Sequence, residues 1–190
     1  WPREQAGPMT LAPPDALTAL PTVLPQVERR ATIPAGFRAG GASAGIKASG
    51  RPDLMIIAVP AGPAATAAVF TPNTFAAAPV KLSQAHLART EPAGNGRFGW
   101  TQAIVSTSGC ANAATGVAGA TDQAEVCTAA AVALGIAPDH TLALSTGLIG
   151  TRLPVAKVVS GIGNLVAGGL RADADGVLAA AEALRTTDSR

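Results

Sequence analysis

Ser145, Thr146 and Gly147 interrupt an apolar run that starts near Thr141, and Pro154 follows after a short loop. A hydroxyl beside a glycine supplies two hydrogen-bond donors there: the Thr146 side chain and a Gly147 backbone N–H with no β-carbon in front of it. Such donors suit a developing oxyanion and perform no proton transfer themselves. No acid, base or metal ligand lies within the corner, and a purely structural turn is the competing reading. A second small-residue corner, SGCANAATG at residues 108–116, also ends an apolar stretch and precedes a helical pattern. Ligands of layered α/β proteins gather at such strand ends.

Other chemistry-bearing residues are weaker candidates. Cys110 could act as a thiol nucleophile with His86 or His140 as base, yet nothing in the sequence brings either histidine near it, and a small buried thiol is the simpler reading. Ser43 sits in Gly41-Ala42-Ser43-Ala44-Gly45, which fits GxSxG but lacks the buried strand before and the helix after that a nucleophile elbow needs. Gly94 to Gly99 fits GxGxxG but precedes a strand and opens no helix, so it fails the context of a dinucleotide site. Lys47 and Arg51 flank a glycine turn and default to solvated charges. His86 and His140 stand in polar settings and default to the surface.

These residues must be positioned by elements of modest size. The chain has 190 residues, and 48% are apolar but only 3% aromatic, so alanine dominates and backbones are expected to pack closely. The net charge of +2 with scattered arginines gives no nucleic-acid footprint. No apolar run reaches membrane-spanning length, and no signal-peptide pattern is visible at the N-terminus. Two cysteines, Cys110 and Cys127, without a CxxC pair, predict free thiols in a reducing, cytoplasmic setting.

Residues 1–30 are proline-rich and read as an irregular arm, with a short strand near residues 30–33. The glycines of residues 36–54 mark turns or close backbone approaches. Residues 54–59 read as a buried strand, with residues 66–70 as its hairpin partner. Residues 78–82 read as a short extended piece, residues 82–90 as a helical turn, and residues 91–99 as a surface loop. A strand over 102–107 precedes a helix over 122–134, capped by Thr121 and ended by Gly135, with Val126, Ala130 and Ala133 on one face. A strand over 141–144 then leads to a helix opened by Pro154, with Val155, Val158, Val159, Ile162 and Val166 on its apolar face and Gly168-Gly169 stopping it. A last helix over 173–184 is expected to bury Val177, Ala181 and Leu184. The order implies an α/β or α+β layered sandwich with helices packed around β-sheets.

Taken together, five segments resemble the ornithine acetyltransferase (glutamate N-acetyltransferase) family. They are GFRAGGASAGIKASGRPDL (36–54), AAVFTPNTFAAAPV (67–80), AIVSTSGCANAATG (103–116), LSTGLIGTRLPVAK (144–157) and Thr186-Thr187-Asp188. The resemblance covers most of residues 31–188 and does not extend into the N-terminal arm. It implies a precursor that cuts itself once into α and β chains, the new N-terminal threonine of β being the nucleophile. That threonine takes an acetyl group from N-acetylornithine and passes it to glutamate, and some members also accept acetyl-CoA. The family fold layers helices around two sheets and uses no metal or prosthetic group.

The resemblance maps the oxyanion hole to Thr146 and Gly147 and a substrate contact to Thr186. It makes residues 31–190 the α-chain part of one catalytic domain, completed by β in an α2β2 or larger assembly. The chain ends before the family's KGxGM motif and its Ala-Thr cleavage point. Thr107 and Cys110 stand where the family usually has asparagine, and Arg185 where it has an apolar residue. These departures leave room for a self-cleaving amidohydrolase, or an acyltransferase with a different acyl-amine substrate in secondary metabolism. A non-catalytic homologue that binds a small molecule or scaffolds β is the reading from another class.

Overall fold

The centre of the protein is a four-stranded sheet in the order β1-β2-β5-β6, seen in a computed structural model that describes residues 30–91 and 96–186. The strands are β1 (Arg38–Ala42), β2 (Leu54–Ala58), β5 (Ala103–Cys110) and β6 (Thr141–Leu148). β1, β2 and β5 pair antiparallel, and β5 and β6 pair parallel. A parallel pair needs a crossover, which α2 (Gly116–Leu134) supplies. A separate two-stranded sheet joins β3 (Ala64–Ala67) to β4 (Phe98–Thr101). The other helices are α1 (Ala78–Thr90), α3 (Val155–Gly168) and α4 (Ala174–Leu184). A mixed α/β layered sandwich results, as the sequence implied. The expected arm lies outside the described residues apart from Arg30, and residues 30–33 form no strand.

β2 reads LMIIA because both of its faces are covered. Leu54, Ile56 and Ala58 join Val126 and Ala130 of α2 and Val158 and Ile162 of α3 in the main core. Met55 and Ile57 face the other way, towards Ala180 and Ala183 of α4. Since β1 and β5 occupy both edges of β2, residues 66–70 cannot be its hairpin partner. Residues Ala64–Ala67 pair with β4 instead.

Residues 78–82 open α1, where Pro79 fits the first helical turn. This helix covers the outer edge of β6 with side chains. The Ser83 hydroxyl donates to the Ala143 carbonyl at 3.0 Å and accepts from the Ala143 N–H at 2.9 Å. His86 Nδ1 lies 2.7 Å from the Thr141 carbonyl. His86 is therefore a buried edge cap and not a surface residue. Unpaired strand edges invite foreign strands, and these contacts close the first half of this one.

α2 starts at Gly116, earlier than expected, so Thr121 lies inside the helix with its hydroxyl on the Val117 carbonyl. Gly135 ends α2 with φ +68°, and Gly169 ends α3 with φ +89°. Asp173 caps α4, accepting from the Gly176 N–H at 3.1 Å. α4 buries Gly176, Ala180 and Ala183 rather than Val177, Ala181 and Leu184. The reason is backbone proximity: a β-carbon on Gly41 would lie 2.1 Å from the Ala179 carbonyl oxygen. Only the small-residue face of α4 fits against the glycines of β1. Gly41→Ala should therefore push α4 outward and cost about 1–3 kcal/mol, read as a lower denaturant midpoint; an unchanged midpoint would contradict this packing.

Candidate functional site

The two parallel strands carry the site at their C-terminal ends. Both run further than their apolar residues suggested, through Thr146-Gly147 in β6 and Gly109-Cys110 in β5. Ser145-Thr146-Gly147 is thus part of a strand and not a break in one. The register places Ser108 beside Thr146 and Gly109 beside Gly147. Both glycines have positive φ, +107° and +129°, a region that disfavours side chains. A β-carbon on Gly147 would sit 2.4 Å from the Gly109 carbonyl carbon and 2.7 Å from the Cys110 nitrogen. The strands meet here backbone to backbone, which explains the glycine at 147, whereas a β-carbon on Gly109 would press on the Lys47 and Ile46 side chains at 3.1 and 3.2 Å.

The wall of the site is the β1–β2 loop, held in shape by Asp53. Its fully buried carboxylate accepts from the N–H groups of Ala44 (2.6 Å), Ile46 (2.6 Å) and Lys47 (2.9 Å). Lys47 then reaches across, donating from Nζ to the carbonyls of Pro52 and Arg185. Burial, and after it the neighbouring Arg51 charge, lowers the Lys47 pKa below its ordinary 10.5. In the last turn of α4, Glu182 pairs with Arg51 at 2.8 Å and with Arg185 at 2.7 Å. These contacts fix the turn that carries Thr186.

The result is an open groove of about 450 Å³. Gly109, Thr146, Gly147 and Leu148 from the strand ends, Lys47, Ser49 and Arg51 from the β1–β2 loop, and Thr186 after α4 line it. Thr146 and Gly147 from one predicted cluster and Thr186 from another therefore come together. A larger hollow of about 600 Å³ lies near Phe75, Leu82 and Val117, but it holds none of the predicted site residues. Size alone does not select the site; convergence of donors does.

Several sequence expectations change. Lys47 and Arg51 are groove residues rather than freely solvated charges. Gly109 and Asp53 were not singled out, although both lie inside segments that carried the resemblance. Cys110 is buried, with its thiol on the Thr151 carbonyl, while His86 caps the opposite end of β6 at Thr141. No thiol–imidazole pair forms, and His140 stays half-buried in the short turn Pro138–His140. Ser43 is exposed and followed by the Asp53-bound loop, not a helix. Of the GxGxxG segment, Gly94 and Asn95 lie outside the described residues, and Gly99 is in β4. Thr187 and Asp188 also lie outside them.

Both cysteines are free thiols, and burial pushes Cys127 up to about 12. Among the described residues no cluster of His, Cys, Asp or Glu is arranged to hold a metal ion, and no helix is long and apolar enough to cross a membrane.

A buried polar network supports the strand ends from behind. The Thr107 and Ser145 hydroxyls are 2.9 Å apart, and Ser145 donates to Gln123 Oε1 at 3.3 Å. Asn112 donates to the same oxygen at 3.1 Å and to the Gly119 carbonyl. Asp122 receives Arg152 through two bonds of 2.6 and 2.7 Å, tying α2 to the loop after β6. Thr107 is thus used in a cross-strand contact and does not line the groove.

The Arg51 and Arg185 hydrogen bonds, in that order, hold the Glu182 carboxyl down at about 2, from an ordinary 4.5. A depressed carboxyl stabilises the fold above its ordinary pKa and loses that contribution as pH falls through the folded value. Acid should therefore release Arg51 and Arg185 with a midpoint near pH 2, followed by the NMR shift of the Glu182 carboxyl carbon. A midpoint near 4.5 would show the bridge to be absent in solution. The group is solvent-exposed, so added salt should raise the midpoint.

A layered α/β domain with a donor-lined groove at its parallel strand ends is the architecture of a small-molecule enzyme site. The ArgJ family pattern matches residues 38–190, and the chain belongs to this family. It is 42% identical over 158 residues to the arginine biosynthesis bifunctional protein ArgJ of Thermobifida fusca, covering 83% of this chain and 38% of that protein. It is 41% identical over 158 residues to the Thermus thermophilus ArgJ, with the same coverage. The chain thus spans a little over a third of the length of these relatives. Its fold is similar to the Mycobacterium tuberculosis ornithine acetyltransferase solved with ornithine (TM-score 0.76, 39% identity, 85% of this chain and 83% of that one). It is also similar to the Bacillus halodurans ArgJ structure (TM-score 0.73, 35% identity, 82% and 75%).

Proposed function

We propose that this chain is the α part of a self-cleaving acyltransferase that moves an acetyl group from N-acetylornithine to glutamate. The observation that carries this reading is the convergence of Thr146, Gly147 and Thr186 on one groove in an ArgJ-family chain. The nucleophile is the N-terminal threonine of a β chain from the same precursor. Its hydroxyl attacks the acetyl carbonyl carbon while its own α-amine, with a pKa near neutrality, takes the proton. The carbonyl oxygen becomes an oxyanion that accepts from the Thr146 hydroxyl and the Gly147 N–H. Collapse expels the ornithine amine, which takes up the proton, and leaves acetyl-threonine. The glutamate amine then attacks the ester and gives a proton to the threonine α-amine, the same donors hold the second oxyanion, and its collapse breaks the ester bond, returns that proton to the threonine oxygen and releases N-acetylglutamate. Thr186 contacts the substrate. Proton transfer stays on the threonine itself, so the scheme calls on no metal or prosthetic group.

Leu148, which lines the groove, is exposed, as are Leu144 and Ile149 on the same stretch of chain, which supports a second chain seated there. The same reading makes residues 31–190 the α share of one catalytic domain in an α2β2 or larger cytoplasmic assembly, with acetyl-CoA an additional donor. A changed acyl-amine substrate finds no support at Thr107 or Cys110, since both are buried in internal contacts.

The test is to produce the full precursor, sequence the N-terminus of its second chain, and incubate the complex with N-acetylornithine. An acetyl group on a first-position threonine, discharged by glutamate, is expected. A second chain beginning with another residue, or an acetyl group that glutamate fails to discharge, refutes the reading.

A further inference from the structure

The groove wall is chemically one-sided. Arg51 uses a single Nη2–H on Glu182, and its backbone N–H reaches Ser49 Oγ at 3.4 Å. A guanidinium has five N–H donors, so Arg51 keeps most of them for a ligand. Lys47 commits its ammonium to the Pro52 and Arg185 carbonyls, and three N–H groups leave one over. Ser49, Thr146 and Thr186 add hydroxyls. Among the described residues no carboxylate lines the groove. Glu182 stands behind it, shared by Arg51 and Arg185, and Asp53 is sealed under three backbone N–H groups. Lys47 and Arg51 thus line a groove behind which the Glu182 carboxylate is already shared between Arg51 and Arg185.

We propose that Arg51 is a specificity-determining residue that reads a free carboxylate on the substrate, oriented for this by Glu182. The inference rests on the acyltransferase reading of the groove and names what its wall selects. A planar guanidinium presents parallel N–H pairs that match the two oxygens of a carboxylate. Glu182 fixes one end of that plane at 2.8 Å, on a residue that also lines the groove. An ammonium group on the substrate is repelled from the same wall by Lys47 and Arg51, so the carboxylate end of an acyl-amino acid lies along this chain and its ammonium end points away. The sequence alone makes Arg51 a solvated charge, because its partner Glu182 lies 131 positions away.

The experiment is a calorimetric titration of the processed two-chain protein with N-acetyl-L-ornithine and with its carboxamide, which lacks only the negative charge. The native protein is expected to bind the carboxylate at least about tenfold more tightly, the typical worth of a hydrogen bond to a charged group. Arg51→Gln should lose that preference while binding the carboxamide as before, and Arg51→Lys should recover part of it. Glu182→Gln, which frees Arg51 from its anchor, should change carboxylate binding without changing carboxamide binding. Equal affinities for both probes in the native protein, or an equal loss of both in Arg51→Gln, overturns the inference. Either result alongside intact acetyl transfer to glutamate would leave the acyltransferase reading standing. Loss of transfer in the native protein alongside selective carboxylate binding would sink that reading alone.

Discussion

Thr146→Ala is expected to lower turnover of the assembled enzyme by about a hundred- to a thousandfold, the usual effect of removing one oxyanion donor. Thr146 is exposed at the groove and belongs to neither buried core cluster. Folding should therefore be unaffected, which separates a chemical defect from a structural one. Self-cleavage of the precursor passes through a comparable tetrahedral oxyanion and should slow as well. Steady-state kinetics on protein processed before purification isolates the transfer step, and a time course of precursor cleavage reads the other. Thr146→Ser restores the hydroxyl and should return most of the rate. Native turnover in Thr146→Ala would remove this hydroxyl from the mechanism.

Gly147→Ala should do damage of a different kind. The new β-carbon would overlap the Gly109 carbonyl carbon at 2.4 Å and its oxygen at 2.6 Å, on a residue held at φ +129°. Backbone strain and overpacking together cost about 3 kcal/mol or more. Gly41→Ala pushes on a surface helix that can shift, whereas Gly147→Ala pushes on β5, whose other edge is bonded to β2. The strand pair must separate at its end, which moves the Gly147 N–H and the neighbouring Thr146 hydroxyl together. A lower melting temperature, together with lost processing, is the expected result. A stable, fully processed Gly147→Ala protein would show that the two strands do not approach this closely in solution.

The sequence was informative where a segment's own pattern decides its structure. β2 is a short β-branched run buried on both faces, and α3 has a proline at its start and a glycine pair at its end, so both could be read locally. Elements governed by distant partners were misread. Residues 66–70 read as a hairpin partner for β2 because they come next in the chain, yet β1 and β5 take both of its edges. α1 looked extended in its first turn because alanine and proline carry little pattern without the β6 edge they cover. The buried face of α4 was displaced because close approach to Gly41 outweighed side-chain size.

The site divides in the same way. Thr146 and Gly147 were suggested by their own chemistry, and Thr186 by resemblance to a family. Lys47 and Arg51 looked solvated because what engages them lies far along the chain, 138 positions from Lys47 to Arg185 in one case. Asp53 gave no signal because a buried carboxylate satisfied by backbone amides has no side-chain partner for a motif to reveal.

Asp53 also has a kinetic consequence. Because its carboxylate is bonded within the loop itself, the wall of the groove is already in shape before any ligand arrives. Encounter then needs no slow rearrangement of this wall, and little affinity is lost to ordering it. The amides of Ala44, Ile46 and Lys47 should exchange slowly with deuterium in the free protein, and saturation with substrate should leave their rates almost the same.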